Sequence, residues 1–260
     1  MDKKLTFDED IMNYDKWRPK YVPQLFADII RYSGIDSNKR AVEVGCGTGQ
    51  ATGPILKTGC SLVAVECGRN FSAYVQEKYK NFPGFKVINM EFEKYPFVKN
   101  SVDLLFSATA FHWIPENEGY TKTYDILKSG ATLALFWNRP FVNKQDDPLH
   151  QCIQSIYNRF RPQDSGKKNL DIEHDQERFR HISGTIKKHR FINLEYSIYK
   201  QTRSFFAEDY ISLLNTYSDH QQMSQPEKSK FEFEIKAAIQ HHGGILTIYD
   251  TMDLYLAQKP

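Results

Sequence analysis

The stretch Ala41-Val-Glu-Val-Gly45-Cys-Gly-Thr-Gly49-Gln50 carries three glycines at alternate positions, directly after an apolar run and before a helical pattern. Glycine lets a backbone approach a ligand closely where side chains would block it. Glu66 lies 17 residues after Gly49 and ends the next apolar run, where a carboxylate can accept hydrogen bonds from both hydroxyls of a ribose. A tight strand-to-helix connection without a ligand is the alternative, but strand, turn, helix, strand and acid in this order favour an adenosine-containing ligand.

Apolar runs and helical patterns alternate along the first half of the chain. They predict strands at residues 41–44, 61–66, 85–89, 102–106 and 131–137, and helices at 19–32, 70–80 and 117–127. Runs that are apolar throughout are typical of parallel strands buried on both faces. With further strands at 194–202 and 245–256, we predict an α/β fold. It is a Rossmann-like, doubly wound, seven-stranded and mostly parallel sheet with an antiparallel terminal strand, plus a helical cap or insertion.

The alternation of apolar runs and helical patterns ends after Pro140, and on this basis we divide the chain into three regions. Residues 1–139 are predicted to form the Rossmann-like core that binds the ligand. Residues 140–190 are polar and helix-leaning, and we interpret them as a helical insertion or cap. Residues 191–260 are predicted to supply C-terminal strands and cap helices that complete the same sheet.

The composition bears on several classes of function. The 260 residues contain 34 Lys plus Arg and 32 Asp plus Glu, which gives a formal net charge of +2. Such a small charge creates no extended positive electrostatic potential that would attract a nucleic acid, so we expect no nucleic-acid partner. No 18 apolar residues run together and residues 1–17 contain no apolar leader, so we expect a cytoplasmic protein without a membrane partner. The four cysteines have neither CxxC nor metal-ligand spacing, so we expect no disulfide framework and no metal.

The glycine spacing bears on which adenosine ligand binds. Dinucleotide sites usually read Gly-x-Gly-x-x-Gly, whereas here the third glycine comes one residue early, and Glu43 stands two residues before the first. An acid at that position would repel a pyrophosphate and suits a ligand that carries an amino group and a sulfonium. An NAD-dependent oxidoreductase is therefore the less favoured alternative.

With these residues the chain resembles the class I S-adenosylmethionine-dependent methyltransferases, whose first motif is a strand with an acid followed by Gly-x-Gly-x-Gly. From about Tyr14 to the C-terminus it is most similar to the small-molecule branch related to trans-aconitate methyltransferase. Motifs that carry this similarity are Tyr14-Asp-Lys-Trp17-Arg18-Pro19, Glu91-Phe-Glu93-Lys-Tyr-Pro96, Ser107-Ala-Thr-Ala-Phe-His112-Trp113, Leu135-Phe-Trp137-Asn138-Arg139-Pro140 and Asn215-Thr-Tyr217-Ser218.

The resemblance implies a set of residues that bind the cofactor S-adenosylmethionine and its product S-adenosylhomocysteine. Phe92 would stack on the adenine, with Glu91 or Glu93 near the exocyclic amine. The whole set is Tyr14, Arg18, Glu43, Gly45, Cys46, Gly47, Thr48, Gly49, Gln50, Glu66, Glu91, Phe92, Glu93, Ala108 and Phe111.

The residues after the fourth and fifth predicted strands are candidates for the methyl acceptor. His112 is placed to act as a base or as a hydrogen-bond donor to the acceptor, although it could also merely pack beside Trp113. Arg139 could clamp a carboxylate or be an ordinary surface residue. The predicted acceptor residues are Trp17, Trp113, Trp137, Asn138, Arg139 and Tyr217, of which Trp17 and Tyr217, with Tyr14, could also face the sulfonium with their rings.

Together these features predict a methyltransferase that moves a methyl group from S-adenosylmethionine to an O or N atom of a small acidic molecule by in-line displacement. A protein that binds S-adenosylmethionine or S-adenosylhomocysteine without catalysis is the alternative from another class. A methyltransferase acting on nucleic acid is less favoured, because neither an Asn-Pro-Pro-Tyr motif nor a Pro-Cys nucleophile follows the fourth predicted strand.

Overall fold

A computed structural model describes residues 10–161 and 176–260 of the chain. In this part of the chain, seven strands form one sheet. The strands are β1 (Arg40–Val44), β2 (Ser61–Glu66), β3 (Phe85–Asn89), β4 (Val102–Ala108), β5 (Leu127–Phe141), β6 (Ile192–Phe206) and β7 (Ile245–Gln258). The helices are α1 (Ile11–Trp17), α2 (Pro23–Ser33), α3 (Thr52–Leu56), α4 (Arg69–Lys78), α5 (Glu116–Ile126), α6 (Pro148–Phe160), α7 (Gln176–Lys188), α8 (Ala207–Leu214), α9 (Ser218–Gln221) and α10 (Gln225–His241), with a 3-10 turn at Phe111–Trp113.

The strand order is β3-β2-β1-β4-β5-β7-β6. Strands β1 to β5 run parallel, and β7 runs antiparallel to both of its neighbours. The predicted doubly wound, mostly parallel sheet with an antiparallel C-terminal strand is confirmed. Its direction of winding reverses between β1 and β4, and ligands of such sheets bind beyond the carboxyl ends of the strands at this switch point.

Helices cover both faces of the sheet. One core cluster joins β-strand side chains to Leu25 and Ile29 of α2 and to Ile55 of α3. The cluster on the other face includes Ile126 of α5 and Ile186 of α7. A third cluster packs α6, α8 and α10 against the first half of β7, and its buried side chains include Ile153, Ile211, Ile235 and Leu246.

Several predicted elements differ from the observed ones at their ends, and for two of them the structure shows the reason. The helix predicted to begin at residue 19 begins at Pro23, because Pro23 holds Val22 in extended backbone (φ −67°, ψ 145°) and Pro is itself suited to the first helical position. The strand predicted at 131–137 extends over Leu127–Phe141, since its ladder with β7 continues to the pair Phe141 and Tyr249.

The predicted insertion at 140–190 contains α6 and α7 in its described portion, and residues 162–175 of it lie outside the described residues. Residues 1–9 of the N-terminal segment lie outside them as well. Within the described ranges, no helix has both the length and the apolar character that a bilayer crossing requires.

Candidate active site

A cavity of about 350 Å³ opens at the carboxyl ends of the parallel strands, where the strand order reverses. Its walls come from the segments after β1, β2, β3, β4 and β5, from the α1 region, and from Tyr217. The volume falls within the range of ordinary small-molecule sites. The fold therefore places the cavity where a sheet of this class binds its ligand.

The glycine turn after β1 forms one wall. Gly45 has φ +69°, and a Cβ built on it would lie 2.5 Å from the Cβ of Ala110. Gly49 has φ +84°, and its Cβ would meet the ring of Tyr79 at 2.7 Å. Glycine is thus required at both positions by conformation and by close packing, against the segment after β4 and against α4 respectively.

Glu66, at the end of β2, ties this turn to the neighbouring strand. Its carboxylate accepts hydrogen bonds from the backbone N–H groups of Gly47 at 2.9 Å and Gly68 at 2.8 Å. The side chain is buried, yet it lines the cavity. A carboxylate has about four acceptor positions, so it can accept from the hydroxyls of a ligand as well as from backbone amides.

Glu43 lies beneath the turn and does not line the cavity. Its Oε2 atom accepts a hydrogen bond from Thr52 Oγ1 at 2.6 Å, and the side chain is completely buried. Burial raises the pKa of Glu43 to about 8, so the carboxyl is mainly protonated at neutral pH. The repulsion of a pyrophosphate that the sequence analysis assigned to this residue therefore does not act at the cavity wall.

Helix α1 covers the cavity and is held to α4. Asp15 accepts hydrogen bonds from Lys78 Nζ at 2.8 Å and from the Tyr74 hydroxyl at 2.9 Å. Lys78 also donates to the carbonyl of Thr48 at 2.9 Å, which joins the glycine turn to the same group. Burial alone would raise the pKa of Asp15, but the hydrogen bonds from Lys78 and Tyr74 help to lower it overall.

Arg18, just after α1, lies between two tyrosine rings. Its guanidinium carbon is 4.8 Å from the ring centroid of Tyr14 and 4.4 Å from that of Tyr217, and Nη2 donates to the carbonyl of Thr216 at 3.2 Å. Both rings line the cavity, and each offers a face to this guanidinium. The π faces that the sequence analysis assigned to a sulfonium thus already bind a cation of the protein itself.

The segment after β3 forms another wall of the cavity. Phe92 is buried, packs 5.8 Å from the ring of Phe97 and lies 5.4 Å from Lys122 Nζ. Glu91 pairs with Lys94 at 2.6 Å. Glu91 and Phe92 are therefore anchored locally while they line the cavity, and Glu93 lines it as well.

The segments after β4 and β5 meet through one side-chain hydrogen bond. Trp137 Nε1 donates to His112 Nδ1 at 3.1 Å, and the indole is buried while the imidazole lines the cavity. Desolvation by the surrounding protein and, in second place, the positive charge of Arg178 lower the pKa of His112. His112 is therefore held neutral near physiological pH.

Asn138 is oriented by a network that reaches β6 and β7. Its Nδ2 donates to Asp250 Oδ1 at 3.2 Å, and its backbone N–H donates to Thr109 Oγ1 at 3.1 Å. Asp250 is in turn bound by Arg203 through Nε and, at 3.0 Å, through Nη2. Because Asp250 accepts from the amide nitrogen, Asn138 Oδ1 is left as a hydrogen-bond acceptor.

Some buried polar atoms of the cavity wall have no hydrogen-bond partner among the described residues. They include Gln50 Nε2, Asn138 Oδ1 and the hydroxyl oxygen of Tyr217. Buried polar atoms are nearly always hydrogen-bonded, so these atoms can bind water or a ligand that enters the cavity. Together with Glu66 and the Cβ-free surface at Gly45, these atoms fit a polar nucleoside ligand.

The comparisons with known proteins agree with this geometry. The methyltransferase domain family matches residues 42–135, from β1 into β5. An uncharacterized methyltransferase of Schizosaccharomyces pombe is 25% identical over 240 residues, which are 90% of this chain and 87% of that protein. These similarities identify the chain as an S-adenosylmethionine-dependent methyltransferase. The predicted reaction class and cofactor are confirmed, and the oxidoreductase alternative is not favoured.

Two solved structures share the fold of this methyltransferase. A protein from Anaeromyxobacter dehalogenans assigned as a type II methyltransferase has a TM-score of 0.64 at 18% identity, with 93% of this chain and 97% of that chain covered. Phosphoethanolamine N-methyltransferase 2 of Haemonchus contortus, solved with phosphomonomethylethanolamine and S-adenosylhomocysteine, has a TM-score of 0.55 at 17% identity. The match covers 97% of this chain and 57% of that longer protein.

The methyltransferase brings most of the predicted site residues to the cavity wall. Those that line it are Tyr14, Arg18, Gly45, Cys46, Gly47, Gln50, Glu66, Glu91, Phe92, Glu93, Ala108, His112, Trp113, Asn138 and Tyr217. Those that do not are Trp17, Glu43, Thr48, Gly49, Phe111, Trp137 and Arg139. On β5, Trp137 and Arg139 lie on the opposite face from Asn138, because successive side chains of a strand alternate.

Sequence reasoning missed several wall residues. They include Tyr21, Cys67, Phe71, Met90, Thr109 and Pro140. Cys67 and Met90 directly follow the ends of β2 and β3, so their position after a parallel strand was an available signal. Tyr21 bonds Thr109 at 2.7 Å across 88 residues of sequence, and no local pattern indicates such a contact.

Proposed function

We propose that the methyltransferase transfers the methyl group to an O or N atom of a small, acidic molecule, as in the branch related to trans-aconitate methyltransferase. One observation carries this proposal. The carboxylates among the cavity-lining residues of the described chain lie at the end of β2 (Glu66) or after β3 (Glu91 and Glu93). The wall after β4 and β5 instead presents His112 and Asn138, with the charge of Arg178 behind His112.

This separation of charge supports a cavity with two ends, a nucleoside end beside β2 and β3 and an acceptor end beside β4 and β5. Glu66 and the glycine turn would hold the nucleoside, with Gln50 and Tyr217 as further polar contacts. At the β4–β5 end an acceptor meets the His112 imidazole with Arg178 behind it, which favours an anionic group, while Asn138 Oδ1 can accept a hydrogen bond from another part of the acceptor. The four cysteines are free thiols, which is consistent with a reducing, cytosolic location.

When bound, S-adenosylmethionine supplies a methyl group on a sulfonium, so that an acceptor lone pair forms the new bond while the pair of the breaking bond stays on sulfur. The protein's own task is to bind, to align the acceptor and to exclude water. Helix α1, anchored through Asp15 and Lys78, covers the cavity and supports the exclusion of water. A carboxylate acceptor needs no base, because it is already an anion near pH 7.

The test is formation of S-adenosylhomocysteine by the purified protein across a panel of small carboxylic acids, amines and phenols, each acid paired with its neutral amide. We expect turnover with one or more acids and little or none with the matched amides. Turnover confined to amines or phenols would contradict the acidic acceptor. Binding of S-adenosylmethionine without turnover of any compound would favour a non-catalytic binding protein.

A further inference from the structure

The hydrogen bond between Trp137 and His112 determines where the imidazole carries its proton. The indole N–H can only donate, so His112 Nδ1, 3.1 Å away, must be the acceptor. A neutral imidazole has one protonated nitrogen, and that nitrogen is therefore Nε2. The side chain presents an N–H group, and its one lone pair is already occupied by Trp137.

Trp137 is held firmly enough to impose this arrangement. It lies in β5 opposite Asp253 of β7 and packs 6.0 Å from the ring of Tyr255. The guanidinium of Arg178 lies 5.0 Å from the indole centroid and is itself fixed, because its Nε donates to buried Asp253 at 2.9 Å. The indole therefore has little freedom to turn away from His112.

Protonation of Nδ1 is disfavoured for two reasons. It would turn two N–H groups toward each other at the Trp137–His112 contact, and it would add a positive charge close to Arg178. Among the groups packed around His112, Arg178 of α7 is the charge that acts on its ionisation, and the pKa of His112 is accordingly lowered. The neutral ring with Nε2–H is thus the form present near neutral pH.

We infer that Trp137 is a positioning residue that fixes the Nε2–H tautomer of His112, so that the enzyme offers its acceptor a hydrogen-bond donor at this point and not a base. The inference rests on the proposed function only for the acceptor that this donor meets. If the enzyme offers no base here, the atom that is methylated must be nucleophilic without losing a proton. A carboxylate oxygen meets this requirement.

A carboxylate satisfies both the donor and the reaction. One oxygen forms the bond to the methyl carbon, the sulfur–carbon bond breaks with its electron pair left on sulfur, and the product is a methyl ester. The other oxygen accepts the hydrogen bond from His112 Nε2. No proton is transferred, so no base is required.

Nitrogen-15 NMR of histidine-labelled protein tests the tautomer without any turnover. The His112→Gln spectrum identifies the His112 signals among those of the eight histidines. We expect a protonated-type Nε2 and an unprotonated-type Nδ1 at pH 7 to 8, with and without S-adenosylhomocysteine. A protonated Nδ1 in the wild-type protein would overturn the inference.

The Trp137→Phe variant tests the role of the indole. We expect a mixture of the two His112 tautomers and a raised His112 pKa, because the bond that favours the neutral ring is lost. An unchanged tautomer in a folded variant would overturn the positioning role. Phe191→Leu, a core change in the same hydrophobic cluster, is the matched control and should leave the His112 signals unchanged.

Kinetics with any acid that proves to be an acceptor separates a donor from a base. His112→Gln retains an N–H donor and should keep most of the rate, whereas His112→Ala should lose roughly ten- to a hundredfold in kcat/KM. The rate should stay level as pH falls through the His112 pKa, and a fall there that is lost in His112→Gln would overturn the inference. If no acid is methylated, the proposed function fails, while the tautomer result stands by itself.

Discussion

The carboxylate of Glu66 accepts a hydrogen bond from the backbone N–H of Gly47 at 2.9 Å, so the end of β2 and the glycine turn after β1 form one unit. A second bond, from the N–H of Gly68 at 2.8 Å, joins the start of α4 to the same carboxylate. One side chain thus shapes the nucleoside end of the cavity and also lines it. This dual role makes Glu66 a sensitive position for ligand binding.

Glu66→Ala should weaken binding of S-adenosylhomocysteine by about 1 to 3 kcal/mol, roughly five- to 150-fold, because charge-assisted bonds are lost and two amides lose their acceptor. Isothermal titration calorimetry measures this change. Glu77→Ala, on the exposed side of α4, is the control and should bind as the wild type does. Unchanged affinity in a folded Glu66→Ala variant would remove this residue from the site.

Gly45→Ala should destabilise the protein more than Gly130→Ala does. Both glycines have positive φ, +69° and +77°, so each substitution carries a backbone cost of roughly 1 to 2 kcal/mol. Only at Gly45 does the new Cβ meet another atom, Ala110 Cβ at 2.5 Å, and this overpacking adds about 1 to 3 kcal/mol. Urea unfolding compares the two variants, and equal losses would refute the close approach.

Glu43 should make the protein less stable as pH rises. Burial raises its folded-state pKa to about 8 from an unfolded value of 4.5, so the folded state holds the proton more firmly. Between these two values the unfolded state loses the proton first, and stability declines with pH by an amount on the order of a few kcal/mol. Above about pH 8 this decline stops.

Glu43→Gln removes this titration but keeps an acceptor for Thr52. The variant should match the wild type near pH 5 and exceed it in free energy of unfolding at pH 9. Denaturant unfolding across this range is the measurement, with Glu77→Gln as an exposed control. Parallel pH curves for wild type and Glu43→Gln would show that the carboxyl is already ionised in the folded protein.

Lys78→Met should speed the release of S-adenosylhomocysteine, because it removes the contacts that hold α1 and the glycine turn to α4. The Asp15–Lys78 pair is partly exposed, so we expect a dissociation constant raised about two- to fivefold, in keeping with pairs worth up to about 1 kcal/mol. Stopped-flow release of the ligand measures the rate. Lys80→Met, which breaks the exposed Lys80–Glu77 pair, should release the ligand at the wild-type rate.

The pH dependence of the same contact has a definite sign. The folded-state pKa of Asp15 is lowered, so the stability that the pair contributes is present above the unfolded value of 3.8 and is lost as pH falls through the folded value. Ligand release from the wild type should therefore accelerate only at acid pH. A rate that changes near neutral pH would point to another group.

Much of the nucleoside-binding end of the cavity could be predicted from local sequence patterns. The turn at Gly45, the acid at Glu66 and the order of helices and strands depend on residues that are neighbours in the chain or lie one strand apart. The same reasoning located the end of α2, where Gly34 adopts φ 57°. It misjudged the start of α2, because the restriction that Pro23 places on Val22 was not weighed.

The acceptor end depended on contacts between distant parts of the chain. Asn138 and Asp250 are 112 residues apart and meet only through the register of β5 with β7. Trp137 was predicted to wall the acceptor pocket, yet it lies behind His112, since its place on β5 turns it toward the opposite face from Asn138. The sequence shows that successive side chains of β5 point to opposite faces, but it does not show which of the two faces borders the cavity.

The amino-acid sequence alone determined the α/β class, the glycine turn and the acid one strand away, because each follows from turn conformation and hydrophobic period within short stretches of chain. The methyltransferase chemistry was implied by the resemblance of these residues to a known family. Tertiary structure decided that Glu43 is buried and mainly protonated, that Arg18 lies between two tyrosine rings, and that His112 receives a hydrogen bond from Trp137. These outcomes depend on burial, and on which side chains meet when the sheet and its helices pack. The hydrophobic period of a short stretch of sequence determines neither the burial of a side chain nor its distant contacts.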